Sequence, residues 1–244
     1  MDRNWLGRTE MITGSGALAR LAVSRVAVFG LGGVGGHAVE ALARSGIGAL
    51  DLIDMDTVEE TNLNRQLAAL RSTVGKRKTE VLKERVLDIN PDCRVTVHDL
   101  FYLPETAAAI DLSAYDFVVD AIDNMTAKLF LAEETGKLGV PLIASMGTGN
   151  RLDPSALCVT DISKTHDDPL AKNMRTGLRK RGIVHLPVVW SSEIPVKTGA
   201  QTPGSAAFVP AAAGLLLASY VVRSIISGTA GSENAADGDR TGTR

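Results

Sequence analysis

The stretch VAVFGLGGVGGHAVEALARSG, from Val26 to Gly46, joins an apolar run to an amphipathic segment through a glycine-rich turn. Within it, Gly30, Gly32 and Gly35 satisfy the spacing GxGxxG between a predicted strand and a predicted helix that ends near Arg44. Glycine lets the backbone turn tightly and approach a phosphate, which then lies at the N-terminus of the helix. The stretch therefore predicts a nucleotide site, and it leaves open which nucleotide binds and which reaction follows.

Apolar runs alternate with helical segments after this stretch, an order that is typical of a parallel sheet with helices on both faces. The segment from Thr79 to Ile89, for example, has helical periodicity and is stopped by Asn90 and Pro91. We predict an α/β fold with a Rossmann-like, doubly wound and mainly parallel sheet. The predicted parallel strands are Arg25–Gly30, Ala49–Asp56, Arg94–Asp99, Asp116–Asp123 and Val140–Gly147.

The alternation loosens beyond Leu157, where two strand-like segments, CVTDISK and LPVVWSSEIPV, flank a basic helical segment. We expect this C-terminal half to extend the same sheet with antiparallel strands. Residues 1–227 are therefore predicted to form a single domain. Residues 228–244 lack large apolar side chains and are predicted to be a disordered tail.

Composition indicates an ordinary globular protein, with 45% hydrophobic residues, 22% charged residues and a formal net charge of -2. The two cysteines, Cys93 and Cys158, form no CxxC pair, which argues against a disulfide framework and a cysteine-built zinc site. We interpret both as buried, inert thiols. The start of the chain lacks the apolar core of a signal peptide, so we expect a cytoplasmic protein. Because CxxC pairs are missing, we also expect no zinc.

The uncharged run from Ala206 to Val222 has 17 residues, fewer than the roughly 20 of a membrane span. It also contains Pro210 and Gly214. We therefore interpret the run as a core helix and expect no membrane span.

An acidic residue, Asp54, follows the second predicted strand, 24 residues after Gly30. A carboxylate at this position can accept hydrogen bonds from both hydroxyls of a ribose. The glycine turn and Asp54 taken alone indicate an adenine nucleotide, with NAD as the first candidate.

The residues beyond Asp54 favour phosphate chemistry over hydride transfer. Arg65 and Lys78 would place two cations near the phosphates, where they could stabilise the charge that builds up in a displacement at phosphorus. Asp123, after the fourth predicted strand, could hold Mg²⁺ that bridges the phosphates of ATP. Alternatively, Arg65 and Lys78 could lie on a solvent-exposed helix face. Their position after an aspartate that can bind a ribose favours contact with the nucleotide.

Several motifs together resemble the superfamily of ThiF, MoeB and the ubiquitin-activating E1 enzymes, over nearly everything from Gly7 to about Ile226. The motifs are GLGGVGG, DMDTVEETNLNRQ, VGKRK, INPDCRV and DAIDN. The segments GRTEMITG and VTDISKTHDDPLAKNMR are similar to one branch of that superfamily, whose members dehydrate the threonylcarbamoyl group on adenosine 37 of tRNA.

The resemblance implies site roles for residues of this chain. Arg65, Lys78 and Asp123 would be catalytic, with Asp123 also at the metal, and Arg8 would be an arginine finger offered across a homodimer interface. The nucleotide would be bound by Gly30, Gly32, Gly33, Gly35, Asp54, Asp56, Asn62, Arg65, Gln66, Lys78, Asp123 and Asn124.

The implied reaction is ATP-dependent adenylation of the threonylcarbamoyl carboxylate, followed by ring closure with net loss of water. An intramolecular attack needs no enzyme thiol, which agrees with the cysteine count. The resemblance also implies Mg²⁺, a homodimer, a monovalent cation site and a cysteine desulfurase system as partner. Three alternatives are activation of the C-terminus of a sulfur carrier or ubiquitin-like protein, NAD(P)-dependent oxidoreduction, and a non-catalytic nucleotide-binding adaptor.

The segment from Lys164 to Gly182 concentrates positive charge on a nearly neutral chain, as binding to a phosphate backbone requires. A solvated amphipathic helix is the alternative interpretation. In the same segment, His166 could assist proton transfer during ring closure or be incidental. The predicted tRNA-binding residues are Lys172, Arg175, Arg179, Lys180 and Arg181.

Overall fold

A computed structural model describes residues 4–228 and centres on a seven-stranded sheet with the strand order β3-β2-β1-β4-β5-β7-β6. The predicted tail, residues 228–244, lies outside the described residues apart from Gly228. The strands are β1 (Arg25–Phe29), β2 (Ala49–Ile53), β3 (Arg94–His98), β4 (Phe117–Asp120), β5 (Leu142–Ser145), β6 (Leu157–Asp161) and β7 (Pro187–Ser191).

Helices cover both faces of the sheet because the central strands are apolar on both faces. Along β1, Val26 and Val28 pack into one hydrophobic cluster, and Ala27 and Phe29 pack into the other, as the two-residue period of a strand requires. The helices are α1 (Gly7–Thr13), α2 (Ser15–Val23), α3 (Gly35–Arg44), α4 (Lys78–Ile89), α5 (Met125–Leu138), α6 (Pro169–Arg179) and α7 (Phe208–Ser227).

The two hydrophobic clusters divide the longer helices between the faces. Buried residues of α3, α4 and α7 belong to the first cluster, and buried residues of α5 and α6 belong to the second. This is the doubly wound arrangement that the sequence predicts.

The C-terminal half extends the sheet, as predicted, but with a single antiparallel strand. β7 pairs with β5 in parallel, and β6 pairs with β7 in antiparallel orientation. The predicted strand CVTDISK ends at Asp161, because the Asp161 carboxylate accepts the N–H of Ser163 and starts a 3-10 turn.

The parallel strands end earlier than the sequence predicts, and the difference is largest for β2 and β4. β2 ends at Ile53 and β4 at Asp120, so residues 54–56 and 121–123 belong to loops. These loops emerge at the same edge of the sheet, because β2, β1 and β4 are parallel neighbours. The acidic residues of both loops are thereby brought to one side of the molecule.

The long apolar run forms α7, which packs on α3 and the sheet. Its length and mean hydropathy of 1.7 would suit a membrane span, but half of that window is buried inside the protein. A Cβ at Gly214 would lie 2.3 Å from the carbonyl oxygen of Val34, so glycine allows α7 to approach α3 closely. The prediction of a core helix is confirmed.

Candidate active site

A cavity of about 700 Å³ opens at the C-terminal edge of the parallel strands, the usual ligand position in a doubly wound sheet. The loops after β1, β2, β3, β4, β5 and β7 form its walls, together with the first residues of α4, α6 and α7. Most of the nucleotide-binding residues that the sequence predicts line this cavity, namely Gly30, Gly32, Gly33, Asp54, Asp56, Asn62, Arg65, Gln66, Lys78 and Asp123.

The glycines of the turn meet three different steric demands. Gly30 has a φ of +84°, and a Cβ there would lie 2.6 Å from the carbonyl oxygen of Ala121. A Cβ at Gly35 would lie 1.8 Å from the carbonyl oxygen of Gly30, so Gly35 lets α3 start against the turn. At Gly32, by contrast, a Cβ would find only the Gln66 amide nitrogen, 3.9 Å away. Gly32 therefore leaves open space inside the cavity, while Gly35 lies behind its wall.

Asp54 connects the end of β2 to this turn. Its Oδ2 accepts a hydrogen bond of 2.6 Å from the N–H of Leu31, and its Oδ1 accepts one of 2.7 Å from the N–H of Asp56. Burial raises the pKa of Asp54. The two hydrogen bonds and the positive charge of the nearby Lys78 act in the opposite direction. The carboxylate is thus held rigidly at the cavity wall.

Lys78 is the first residue of α4, and its side chain is only 6% exposed. Its ammonium nitrogen lies 2.8 Å from Oδ2 of Asp56, which is itself more than half exposed. A charge-assisted hydrogen bond therefore orients the lysine at the cavity. An anion in the cavity would meet a cation that is already positioned.

The loop after β2 supplies Asn62, Arg65 and Gln66. Asn62 is buried, and its Oδ1 accepts the N–H of Glu59 at 3.1 Å. This hydrogen bond caps a 3-10 turn. Arg65 donates from Nη1 to the carbonyl oxygen of Thr61 at 3.0 Å. The Oε1 atom of Gln66 is buried and has no hydrogen-bond partner within residues 4–228. A buried acceptor without a partner destabilises the folded protein, and a hydrogen bond from a bound molecule would remove that cost.

The two predicted residues of the loop after β4 lie in different environments. Asp123 is exposed and lines the cavity. Asn124 caps α5, because its Oδ1 accepts the N–H of Ala127 at 3.0 Å, and it lies outside the cavity wall.

A buried ion pair under this loop was not predicted from the sequence. Oδ1 of Asp120 lies 3.0 Å from Nζ of Lys128 and also accepts the N–H of Ile122. Both side chains are fully buried, and burial raises the pKa of Asp120 against the pull of Lys128. The pair braces the loop that carries Asp123.

A second buried pair, Arg151 with Asp168, lines the cavity beyond β5 and was also missed. Arg151 donates from Nε to the carbonyl oxygen of Gly147 at 3.0 Å, and Asp168 accepts the N–H of Gly147 at the same distance. Burial lowers the pKa of Arg151, and Asp168 opposes that shift. The only sequence signal was a charged residue shortly after a glycine-containing loop.

The cations predicted to bind tRNA differ in their surroundings. Arg175 is half-buried and donates to the carbonyl and the hydroxyl oxygens of Thr165, and Arg181 pairs with Glu133 at 2.9 Å. Lys172, Arg179 and Lys180 are exposed, and among residues 4–228 none of them forms an ion pair.

Arg8, the predicted arginine finger, is exposed on α1 and does not line the cavity of its own chain. His166 is also exposed and outside the cavity wall, with Nδ1 lying 2.9 Å from Oδ2 of Asp167.

The two cysteines differ from each other. Cys93 is buried, and burial raises the pKa of its thiol to about 11. The prediction of a buried thiol is wrong for Cys158, which is exposed because β6 is the edge strand of the sheet. Partial burial still raises the pKa of the Cys158 thiol, and neither cysteine lines the cavity.

Comparison with known proteins identifies the family of this chain. The sequence matches the ThiF family over residues 6–238. The chain belongs to the ThiF family. The superfamily resemblance and the mainly parallel α/β fold are therefore confirmed.

Several known proteins are similar to this chain over most of its length. A tRNA threonylcarbamoyladenosine dehydratase of Bacillus subtilis (strain 168) is 43% identical over 237 residues, which cover 90% of this chain and 93% of that protein. One of Escherichia coli (strain K12) is 46% identical over 177 residues, which cover 72% of this chain and 66% of that protein. The crystal structure of the E. coli enzyme, TcdA, in complex with ATP has a TM-score of 0.88 at 40% identity, and the match covers 93% of this chain and 96% of that one.

Proposed function

We propose that this chain is an ATP-dependent tRNA threonylcarbamoyladenosine dehydratase. The observation that carries the proposal is one cavity that combines an open glycine turn, Asp54, Lys78 and Asp123, in a chain similar to dehydratases of that name over most of its length. In the proposed reaction, the threonylcarbamoyl carboxylate attacks the α-phosphorus of ATP and releases pyrophosphate. The activated carbonyl is then attacked from within the same group, so that AMP leaves and a ring closes with net loss of water.

The residues around the turn fit an adenine nucleotide. Gly32 leaves room for a phosphate at the N-terminal side of α3, where backbone N–H groups and the helix dipole favour negative charge. Asp54 keeps lone pairs for ribose hydroxyls after accepting its two backbone hydrogen bonds. Gln66 also lines the cavity, with its amide nitrogen on the side of Gly32.

Lys78 and Arg65 would act on the phosphates. Both line the cavity, and Lys78 is held by Asp56 before any anion arrives. Preorganised cations stabilise the negative charge that builds up in a displacement at phosphorus, and a buried environment strengthens that effect. Asn62 supports this function by fixing the loop that carries Arg65.

Asp123 is the residue that would hold Mg²⁺. Within residues 4–228, no three His, Cys, Asp or Glu side chains converge to form a complete metal site. Mg²⁺ commonly binds one or two carboxylates together with phosphate oxygens and water, so a single exposed carboxylate in the cavity fits. Bound there, Mg²⁺ would neutralise charge on the phosphates.

The tRNA would lie along α6. The N-terminal residues of this helix, Pro169 and Leu170, line the cavity, while Arg179 and Lys180 are exposed at its C-terminal end. A phosphate backbone bound at that end could present a modified nucleoside to the cavity. Lys172 lies between the two ends of α6 and is also exposed.

The remaining proposals concern assembly and location. Because Arg8 is exposed and does not line the cavity of its own chain, we propose that it acts in a homodimer, across the interface. A tRNA substrate agrees with a cytoplasmic enzyme. The monovalent cation and the cysteine desulfurase partner remain predictions from the resemblance.

The deciding experiment incubates the protein with ATP, Mg²⁺ and tRNA that carries threonylcarbamoyladenosine. Mass spectrometry of the digested nucleosides should show the loss of one water from the modified nucleoside. Asp123→Ala should form no AMP and leave that nucleoside unchanged. No loss of water with the native chain, together with pyrophosphate exchange driven by a ubiquitin-like carrier, would overturn the proposal in favour of carrier activation.

A further inference from the structure

The cavity extends beyond the residues that would hold a nucleotide. In the sheet order, Asp54 follows β2, the glycine turn follows β1, Asp123 follows β4, and the Gly147 loop follows β5. A nucleotide with its ribose at Asp54 and its α-phosphate near Asp123 therefore leaves the β5 side for the second substrate. That side is lined by residues 145–151 and by the start of α6.

Arg151 is the buried cation of this compartment. Its side chain is 1% exposed, and its Nη2 lies 3.6 Å from Oδ2 of Asp168, which is an ion-pair distance rather than a short hydrogen bond. Its Nη1 is buried and has no hydrogen-bond partner within residues 4–228. A buried donor of a charged group without an acceptor is costly, so an acceptor that reached Nη1 from the adjoining cavity would be favoured.

Asp168 is largely committed to other donors. Its carboxylate accepts the N–H groups of Gly147, Leu170 and Ala171, and so caps α6. The guanidinium therefore keeps hydrogen-bonding capacity for a further anion. A planar guanidinium matches a carboxylate better than any other cationic side chain does.

We propose that Arg151 binds the carboxylate of the acyl substrate, and thereby selects nucleosides that carry a free carboxylate beside the α-phosphate of ATP. The inference rests on the proposed function and adds a substrate-recognising residue on the β5 side of the cavity. Arg151 then positions the carboxylate oxygen for attack, while Lys78 and Arg65 bind the phosphates.

The test compares the binding of two labelled tRNAs in the presence of a non-hydrolysable ATP analogue. One tRNA carries threonylcarbamoyladenosine with its free carboxylate, and the other carries the methyl ester of the same group. The native chain should bind the free acid at least about tenfold more tightly, as expected for one charge-assisted hydrogen bond. Equal binding of acid and ester by the native chain would overturn the inference without any variant.

Arg151→Gln should bind both tRNAs alike, because the amide lacks the positive charge. A general structural defect would instead weaken both complexes and keep their ratio. Arg151→Lys should keep part of the preference, and Arg85→Gln, on α4 and outside the cavity wall, should keep all of it. Undiminished preference in Arg151→Gln, or a loss of ATP affinity with the preference unchanged, would contradict the assignment.

The two proposals fail in different ways. If the native chain removes no water from the modified nucleoside, the proposed function is wrong. If the native chain removes water but does not distinguish the acid from the ester, only the inference about Arg151 is wrong.

Discussion

Oδ2 of Asp54 lies 2.6 Å from the backbone nitrogen of Leu31 and accepts its hydrogen bond. One carboxylate at the end of β2 therefore fixes the glycine turn that follows β1. Its second oxygen fixes the next loop through the N–H of Asp56. The geometry of the candidate nucleotide site thus depends on a residue that would also contact the ribose.

Asp54→Asn should weaken ATP binding by about tenfold or more, because an amide offers one acceptor oxygen where the carboxylate offers two. Isothermal titration calorimetry with ATP measures the effect. Asp88→Asn removes an exposed carboxylate on α4, outside the cavity wall, and should leave ATP affinity unchanged. Equal affinities for all three proteins would show that Asp54 does not serve the nucleotide.

Gly32→Ala and Gly35→Ala should separate binding from folding. The Cβ at position 32 enters open cavity space, so ATP affinity should fall while the melting temperature stays nearly constant. The Cβ at position 35 would lie 1.8 Å from a carbonyl oxygen, so the free energy of unfolding should fall by about 3 kcal/mol or more. Calorimetry and thermal denaturation measure both quantities, and a reversed pattern would contradict the assigned roles.

The sequence was sufficient to predict the parallel part of the fold and the polar residues that the loops after β1, β2 and β4 bring to the cavity. Strands such as β1 are short apolar runs next to glycine, and GxGxxG is a local pattern, so both are visible along the chain. Asp54 and Lys78 could be predicted because parallel strands deliver their following loops to one edge. Strand ends were less accurate, because side-chain acceptors such as Asp161 divert the backbone.

The two buried ion pairs, one beneath the Asp123 loop and one in the cavity wall, could not be predicted from local pattern. Asp120 meets Lys128 only when α5 packs on the sheet, and Arg151 meets Asp168 only when α6 docks beside β5. The exposure of Cys158 likewise depends on β6 being an edge strand. Charge and apolarity are sequence properties, whereas pairing and edge position are properties of the assembled sheet.

Lys78→Met should lower ATP-dependent AMP formation by about 100-fold or more, the usual effect of removing a preorganised charge from a phosphoryl site. The reason is that Lys78 lines the cavity and is already oriented by Asp56. Lys83→Met is the matched control, since Lys83 lies on the same helix, pairs with Glu80 and does not line the cavity. A rate for Lys78→Met near that of Lys83→Met would refute the role.

Asp51→Asn should reduce stability in a pH-dependent way. Burial alone would raise the pKa of Asp51, but hydrogen bonds from Arg25, His98 and Tyr115 outweigh burial and lower it. The folded state thus binds fewer protons than the unfolded state near the ordinary aspartate pKa of about 3.9, so this stabilisation is full above that pH and is lost as pH falls through the lowered pKa.

At neutral pH the expected loss for Asp51→Asn is about 1–3 kcal/mol in the free energy of unfolding. The difference between native chain and variant should shrink below about pH 4, as measured by denaturant titration at several pH values. A difference that stays constant with pH would show that the charge of Asp51 contributes nothing.

Arg179 and Lys180 should bind tRNA phosphates, because both are exposed at the C-terminal end of α6. The double variant Arg179→Ala with Lys180→Ala should bind tRNA more weakly and reduce the slope of log K against log salt by about 1.4 to 1.8 for two lost contacts. Fluorescence anisotropy at several salt concentrations measures both effects. The double variant Lys83→Ala with Arg85→Ala removes the same charge from α4 and should leave the slope unchanged, because these side chains pair with Glu80 and Glu40. If both double variants reduce the slope equally, the effect is one of overall charge, and α6 is not the docking surface.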